Sequence, residues 1–332
     1  AFSNLTVNNT TGLSITGGAV SVGRILLCNG LLETNGKMTL RSWGDGTALI
    51  DGAGTGTISG NVTMQRYLPT GFGYIYLSSP FTSATVSELA DEAIESIYRY
   101  DENRLVGGVP ASGWSNYYNP GNLLVPAAGY AVNLGPDTGP LTVDITGEVT
   151  NGDITVPVFN NDQPYTVGFN LVGNPYPSPV DWDMIDALNT NIDNAVYYFS
   201  NSDIDQYGGT YVTYINGVSS DGMATNIIPS MQGFFIHVTD GVFPVEGSLV
   251  MNNSVRVNNL DHPFIKSAEA DQTKLLRLSA SFSTSPETPD YTVVYFDEQA
   301  TPEFDGQFDA LKLLNTDTNV PSLFSVTPAA SR

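Results

Sequence analysis

Cysteine is nearly absent from this sequence: Cys28 is the only one in 332 residues. A single thiol excludes both an intrachain disulfide framework and a thiolate metal cage. Basic residues are scarce as well, with 12 Lys plus Arg against 34 Asp plus Glu and a formal charge of −22 at pH 7. Nucleic acid and anionic membrane surfaces would be repelled by that balance, so no nucleic acid partner is expected, whereas divalent cations would be attracted. A solvated acidic surface accounts for the charge without any ligand. No apolar run approaches the roughly 20 residues of a membrane-spanning helix, so no membrane insertion is expected. The start carries no basic, apolar and small-residue leader and no Met before Ala1, which suggests a removed leader or a cut from a longer protein.

Catalytic signatures are equally thin. His237 and His262 are the only histidines, and no GxSxG elbow, HExxH helix or GxxxxGKS/T loop occurs. Alternation in GFFIHVTDG puts His237 with Phe235 on one sheet face, the position of a satisfied or surface histidine rather than a general base. No catalytic residue is assigned and a non-catalytic role is expected. A glycosidase needs only two carboxylates about 5 to 9.5 Å apart, and a chain with 34 acids does not exclude such a pair.

What the chain does have is 41% hydrophobic and 11% aromatic residues, enough to fold with real cores. The expected fold class is all-β: a short β-solenoid-like N-terminal segment followed by antiparallel β-sandwich domains. Through residue 60, apolar pairs two apart (Leu5 and Val7, Leu13 and Ile15, Val20 and Val22, Ile25 and Leu27, Met38 and Leu40) alternate with Asn- and Gly-rich gaps. This predicts a small right-handed solenoid over residues 1–60, although a run of hairpins also fits the irregular spacing. Residues 45–60 read as a loop and 58–68 as a strand. Residues 86–100 read as a helix with Ser87 as cap and acids in the first turns; alternatively, the alternation in IYRYD makes 96–100 a strand. Dense short strands between turn signals predict a β-sandwich over 61–262, with a strand at 165–172 and a helical turn at 181–188. Residues 264–272 read as a connector, and alternation at 275–282 and 291–296 opens a second, truncated β-sandwich over 263–332.

The stretch 166–183, TVGFNLVGNPYPSPVDWD, stops a buried strand at a rigid corner. Pro175, Pro177 and Pro179 fix φ at alternate positions, while Tyr176 and Trp182 offer large faces that can pack the corner down. The run GFNLVGNPYPSPVDWD is followed in order by NIDNAVYYFS, IIPSMQGFFIHV and LVMNNSVRVNN, with FIK close behind. This set resembles blocks of large exported surface proteins of Bacteroidota, and GNVTMQRYLP and YLSSPF resemble the blocks upstream of them. The resemblance covers roughly residues 60–314. It implies an extracellular or outer-surface location, export by the type IX secretion route with a sorting domain beyond Arg332, and a structural or adhesive role. It also runs 96–100 as a strand and continues the second sandwich through 304–314. It brings no shared catalytic signature.

Two kinds of ligand site can be sought among the remaining residues. Asp203 and Asp205 followed by Gly208 match the first ligands and the turn glycine of a calcium loop, but Tyr207 and Tyr214 occupy its fifth and twelfth positions. Asp181, Asp183 and Asp186 form a second acidic cluster, Asp305 and Asp309 a third; solvated turn acids explain all of them equally well. Trp114, Tyr117 and Tyr118 lie in the polar loop SGWSNYYNPGN, where exposed rings beside Asn side chains suit stacking on pyranose rings. Tyr197, Tyr198 and Tyr207 offer another patch, and rings covering the ends of a sandwich are the plainer alternative. The composite expectation is a structural or adhesive segment of a large secreted surface protein, with a polysaccharide or cell-surface partner. A carbohydrate-binding module of a secreted polysaccharide-degrading enzyme is one alternative. A subunit of an extracellular polymeric assembly, self-associating through sheet edges, is another.

Overall fold

Period-two apolar pairs become parallel strands in a computed structural model that describes residues 1–92, 94–258 and 274–326. Leu5–Val7, Ile25–Cys28 and Leu49–Ile50 form one parallel ladder; Leu13–Ser14, Leu31–Glu33 and Thr57–Ser59 form a second. Val20–Val22, Met38–Leu40 and Val62–Leu68 form a third. One face of each strand turns inward, so Val7, Val22, Leu32, Met38, Leu40 and Met64 share one core, with Leu5 and Val20 partly buried on it. In Ile25–Cys28 the inward residues are Leu26 and Cys28 and not the expected pair Ile25 and Leu27. Side chains link successive passes: Asn29 donates to Asn8 and Asn35 to Ser14, each 21 residues away. Between the second and third passes the offset grows to 25, from Thr34 to the Ser59 carbonyl, and 26, from Asn29 to Thr55. The small hairpin Ser42–Trp43 with Gly46–Thr47 occupies the added length.

Two expectations for this segment are corrected. The stretch read as a loop over 45–60 contains three short strands, because Leu49 and Ile50 are buried despite their Gly and Thr neighbours. The strand expected over 58–68 breaks at Gly60, whose φ is +82° and where a Cβ would meet Thr34 Oγ1 at 2.9 Å.

Val62–Leu68 belongs to two pairings at once. It continues the third parallel ladder and pairs antiparallel, over its whole length, with Leu141–Gly147. A four-stranded sheet packs next: Gly71–Leu77, Tyr130–Asp137, Ser96–Tyr100 and Trp114–Asn116, in that order. Ile97, Tyr130, Val132 and Leu134 on one face join the ladder core. On the other face, Tyr76 and Ala131 share an aromatic cluster with the central sheet. The region 86–100 divides into a 3-10 helix, Val86–Glu92, and a strand, Ser96–Tyr100. Val86 and Leu89 are buried three apart, the spacing that eclipses in a 3-10 turn.

The central sheet runs Phe169–Gly173, Gly233–Val238, Ile192–Asn201, Gly209–Ile215, Val218–Ser219. It is covered on both faces, which is why Gly233–Val238 is buried at every position. Phe234, Ile236 and Val238 face a core shared with the pair Ile154–Asn160 and Val245–Met251, and Phe235 faces the aromatic cluster. The strand predicted from 165 starts only at Phe169, because Val167 and Gly168 take positive φ. At the corner, Tyr176 and Trp182 are fully buried. Asp181 caps the helix Trp182–Asp186 by accepting from the Asp183 amide.

Residues 274–326 begin with the hairpin Leu275–Phe282 and Ser285–Tyr295. The stretch 304–314, expected to continue a sheet, is irregular. Lys312 pairs with Asp290 at 2.7 Å, while Tyr295, Leu311 and Leu313 pack on the aromatic cluster. The Asn194 amide donates to the Gly306 carbonyl, so this part is docked on the central sheet. His262, Arg332 and the expected connector 264–272 lie outside the described residues.

Candidate functional site

Alternation along three strands gives the four-stranded sheet one strongly aromatic face. Tyr74 and Tyr76, Tyr98 and Tyr100, and Trp114 project from it, with Ser96, Asn116 and Asn133 between them. Half of this face is closed by the central sheet. Tyr76 stacks on Phe199 at 4.7 Å and bonds Tyr211 through the two hydroxyls at 2.7 Å. Tyr100 meets Phe235 edge-on at 4.9 Å. Burial pushes the Tyr211 phenol up to about 12 and that of Tyr76 well above its ordinary value, so both stay neutral.

The other half is only partly covered, with Tyr74 and Tyr98 half-buried. A bulge at Gly73, with φ +73°, re-aims Tyr74. Tyr98 lies 6.4 Å from Tyr74 at 54°, and Tyr207 lies 6.5 Å away at 56°. Tyr207 is 66% exposed, yet its loop is pinned on every side. Asp205 Oδ1 accepts from the Tyr207 amide, and Ser202 Oγ accepts from the amides of Ile204 and Asp205. Gln206 Nε2 donates to Glu95 at 2.7 Å and to Asn133 at 3.2 Å. Asn201 Nδ2 donates to the Phe72 carbonyl, and Gly208 packs where a Cβ would meet Asp317 Cα at 2.9 Å.

The residues named from sequence are distributed differently from that expectation. Trp114 is half-buried in the closed part, 5.0 Å from Tyr100 and 5.8 Å from Tyr76. Tyr117, three residues on, packs on the opposite side, stacked on Tyr130 at 5.4 Å with its hydroxyl on the Leu123 carbonyl. Tyr118 is exposed. The three rings are therefore not brought onto one face. Tyr197 is fully buried, Tyr198 is half-buried against the far core, and Tyr207 is exposed.

Asp203 is exposed, and Asp205 is committed to the turn that holds Tyr207. Among the described residues, no group of three or more His, Cys, Asp or Glu is placed to hold a metal ion. The Asp181 and Asp183 carboxylates accept from Asn226 Nδ2 at 2.8 and 3.1 Å, and Tyr214 donates to Asp183. Asp305 Oδ1 accepts from the Gln307 amide, and Asp309 Oδ2 accepts from the Asp305 amide.

His237 is buried and shares a 2.6 Å contact with Asp193, which also accepts from Thr239 Oγ1 at 2.8 Å. Its Nε2 faces Gly168, where even a Cβ would come within 2.9 Å. That leaves no room for a substrate at this nitrogen.

Sequence reasoning passed over Arg256. Its Nε donates to Ser178 Oγ at 2.7 Å, Nη1 to Asn151 and Asn253, and Nη2 to the Ile50 carbonyl at 2.6 Å. The guanidinium also lies over the Tyr176 ring, 5.1 Å from its centroid. One side chain thus joins the last ladder pass to the Pro-rich corner, and burial lowers its pKa to about 10, still charged at neutral pH. Its only advance signal was its place in the block LVMNNSVRVNN.

No curated protein matches the chain, and no solved structure does. A family model described as Domain of unknown function (DUF8693) matches residues 1–330.

Proposed function

The chain belongs to the DUF8693 family, and from that premise we propose that it is a non-catalytic structural and adhesive segment of a large secreted cell-surface protein. The observation that carries this reading is the interlock. Val62–Leu68 is shared between parallel and antiparallel pairings, and Arg256 ties Ile50 to Ser178 and Tyr176. In this reading the three ladders are the faces of a short β-solenoid whose rungs are the successive passes, and the stacked sheets behind them are β-sandwich layers. A body joined this way transmits load along its length instead of hinging at a linker. The acidic surface keeps it soluble outside the cell, and the ordered sequence blocks support export by the type IX route.

Antibody labelling of intact producing cells tests the location, and attachment assays on cells whose protein lacks this chain test the role. The reading expects labelling without lysis and loss of attachment. Labelling only after lysis, or undiminished attachment, counts against it.

Assembly through sheet edges has its own support. Among the described residues the hairpin Leu275–Phe282 with Ser285–Tyr295 has two strands, and Leu276, Leu278 and Val294 on it and Phe296 just after it are exposed. Sedimentation at increasing concentration distinguishes a pairing second copy from a monomer.

A further inference from the structure

The outer part of the aromatic face is incompletely covered: Tyr74 and Tyr98 are half-buried against the aromatic cluster, and Tyr207 beside Tyr74 is exposed. We propose that Tyr74, Tyr98 and Tyr207 form a shelf that binds a single chain of a neutral polysaccharide. The site goes beyond the structural reading above and does not depend on the route of export.

The rings sit 6.4 and 6.5 Å apart, inclined by 54° and 56°. A flat crystalline polymer face cannot lie on all three, whereas a free chain can turn its pyranose C–H faces onto successive rings. Polar groups border the rings: Glu95 Oε2 accepts from Gln206, the Ser96 hydroxyl contacts that of Tyr74 at 3.3 Å, and Asn116 Oδ1 accepts from the Tyr118 amide. This leaves Glu95 Oε1 and the Asn116 Nδ2 donors to meet sugar hydroxyls. Tyr207 is exposed, but its loop is already fixed by Ser202, Asp205 and Gln206. Little conformational freedom is then lost on binding. The formal charge of −22 and Glu95 at the margin exclude uronate-rich or sulfated chains on electrostatic grounds. Trp114, on the same face, packs on Tyr76, Tyr100 and Phe235 in the closed part and is not one of the shelf rings.

The test is calorimetric titration of the whole chain with hexasaccharides of β-1,4-glucose, β-1,4-mannose and β-1,3-glucose, and with oligogalacturonate as the acidic comparison. At least one neutral hexasaccharide is expected to bind, with affinity falling about tenfold in Tyr207→Ala and kept within about threefold in Tyr207→Phe. Tyr118→Ala, away from the shelf, is expected to bind as the parent does. Because Tyr207 is exposed and its loop is held by hydrogen bonds that do not use its side chain, an unchanged thermal midpoint will show that the variant is folded. The proposal is overturned if no neutral hexasaccharide binds at about 5 mM, if oligogalacturonate binds more tightly than all of them, or if Tyr207→Ala binds like the parent.

Discussion

Buried polar side chains, rather than surface charges, carry the specificity of this fold at the residue scale. Asn174 is completely buried. Its Nδ2 donates to the carbonyls of Ser178, Ile228 and Pro229, and its Oδ1 accepts from the Tyr176 amide. Around the corner, where the prolines supply no N–H, three carbonyls share the two N–H bonds of one buried amide. Asn174→Ala leaves them without it, and a loss of about 2 to 4 kcal/mol is expected in urea unfolding. A loss below about 0.5 kcal/mol would mean that the corner is held some other way. Asp186 offers a test by pH. Burial, and then the nearby Asp183 charge, hold its carboxyl above the ordinary 3.8. The proton therefore binds the folded chain more tightly than the unfolded one. Ionisation costs stability as pH rises from the ordinary to the raised value, and the full cost is present at neutral pH. Asp186→Asn removes it, so the variant should melt above the parent at pH 7 and the two should converge at about pH 3.5. Equal midpoints at both pH values would contradict that assignment.

Periodicity was readable at the scale of the element, and partnership was not. Apolar pairs two apart announced the first strands, and the prolines announced the corner, because each signal lies within a few residues. Asn8 with Asn29 and Ser14 with Asn35 are linked at a 21-residue spacing. The strands of the same passes, however, pair Leu5 with Leu26, Leu13 with Leu32 and Val20 with Met38, so the interval shortens along the pass. The inserted hairpin at Ser42–Thr47 then stretches the next interval, and one intact interval is too little to establish a repeat. Within pairs, the sequence did not say which member turns inward: Ile15 is buried while Leu13 is 42% exposed. Trp114 and Tyr117 are three apart, an odd interval that places strand neighbours on opposite faces, so their separation was in principle legible. The meeting of Tyr74, Tyr98 and Tyr207 was not, because it depends on the register of three strands and a loop. The loop 202–208 carries its own prediction. Asp205 caps the Tyr207 amide and Asp203 stands exposed, so stripping divalent cations with EDTA should shift the melting midpoint by less than about 1 °C. A fall of about 5 °C or more would establish a bound calcium ion that stabilises the fold.

At the scale of the whole molecule, the ladders, the stacked sheets and the Pro-rich corner are expected to unfold together as one mechanical body. Val62–Leu68 and Arg256 are the two joints on which that claim depends. Arg256→Met keeps much of the packing on Tyr176 but strips the donors from Ile50, Ser178, Asn151 and Asn253. The most direct measurement is differential scanning calorimetry of the whole chain and of this variant. The account predicts a single transition for the parent, with calorimetric and van't Hoff enthalpies in agreement, and a single transition for Arg256→Met lowered by about 5 °C or more. Two separate transitions in the parent, or a variant in which only part of the heat absorption moves, would contradict it.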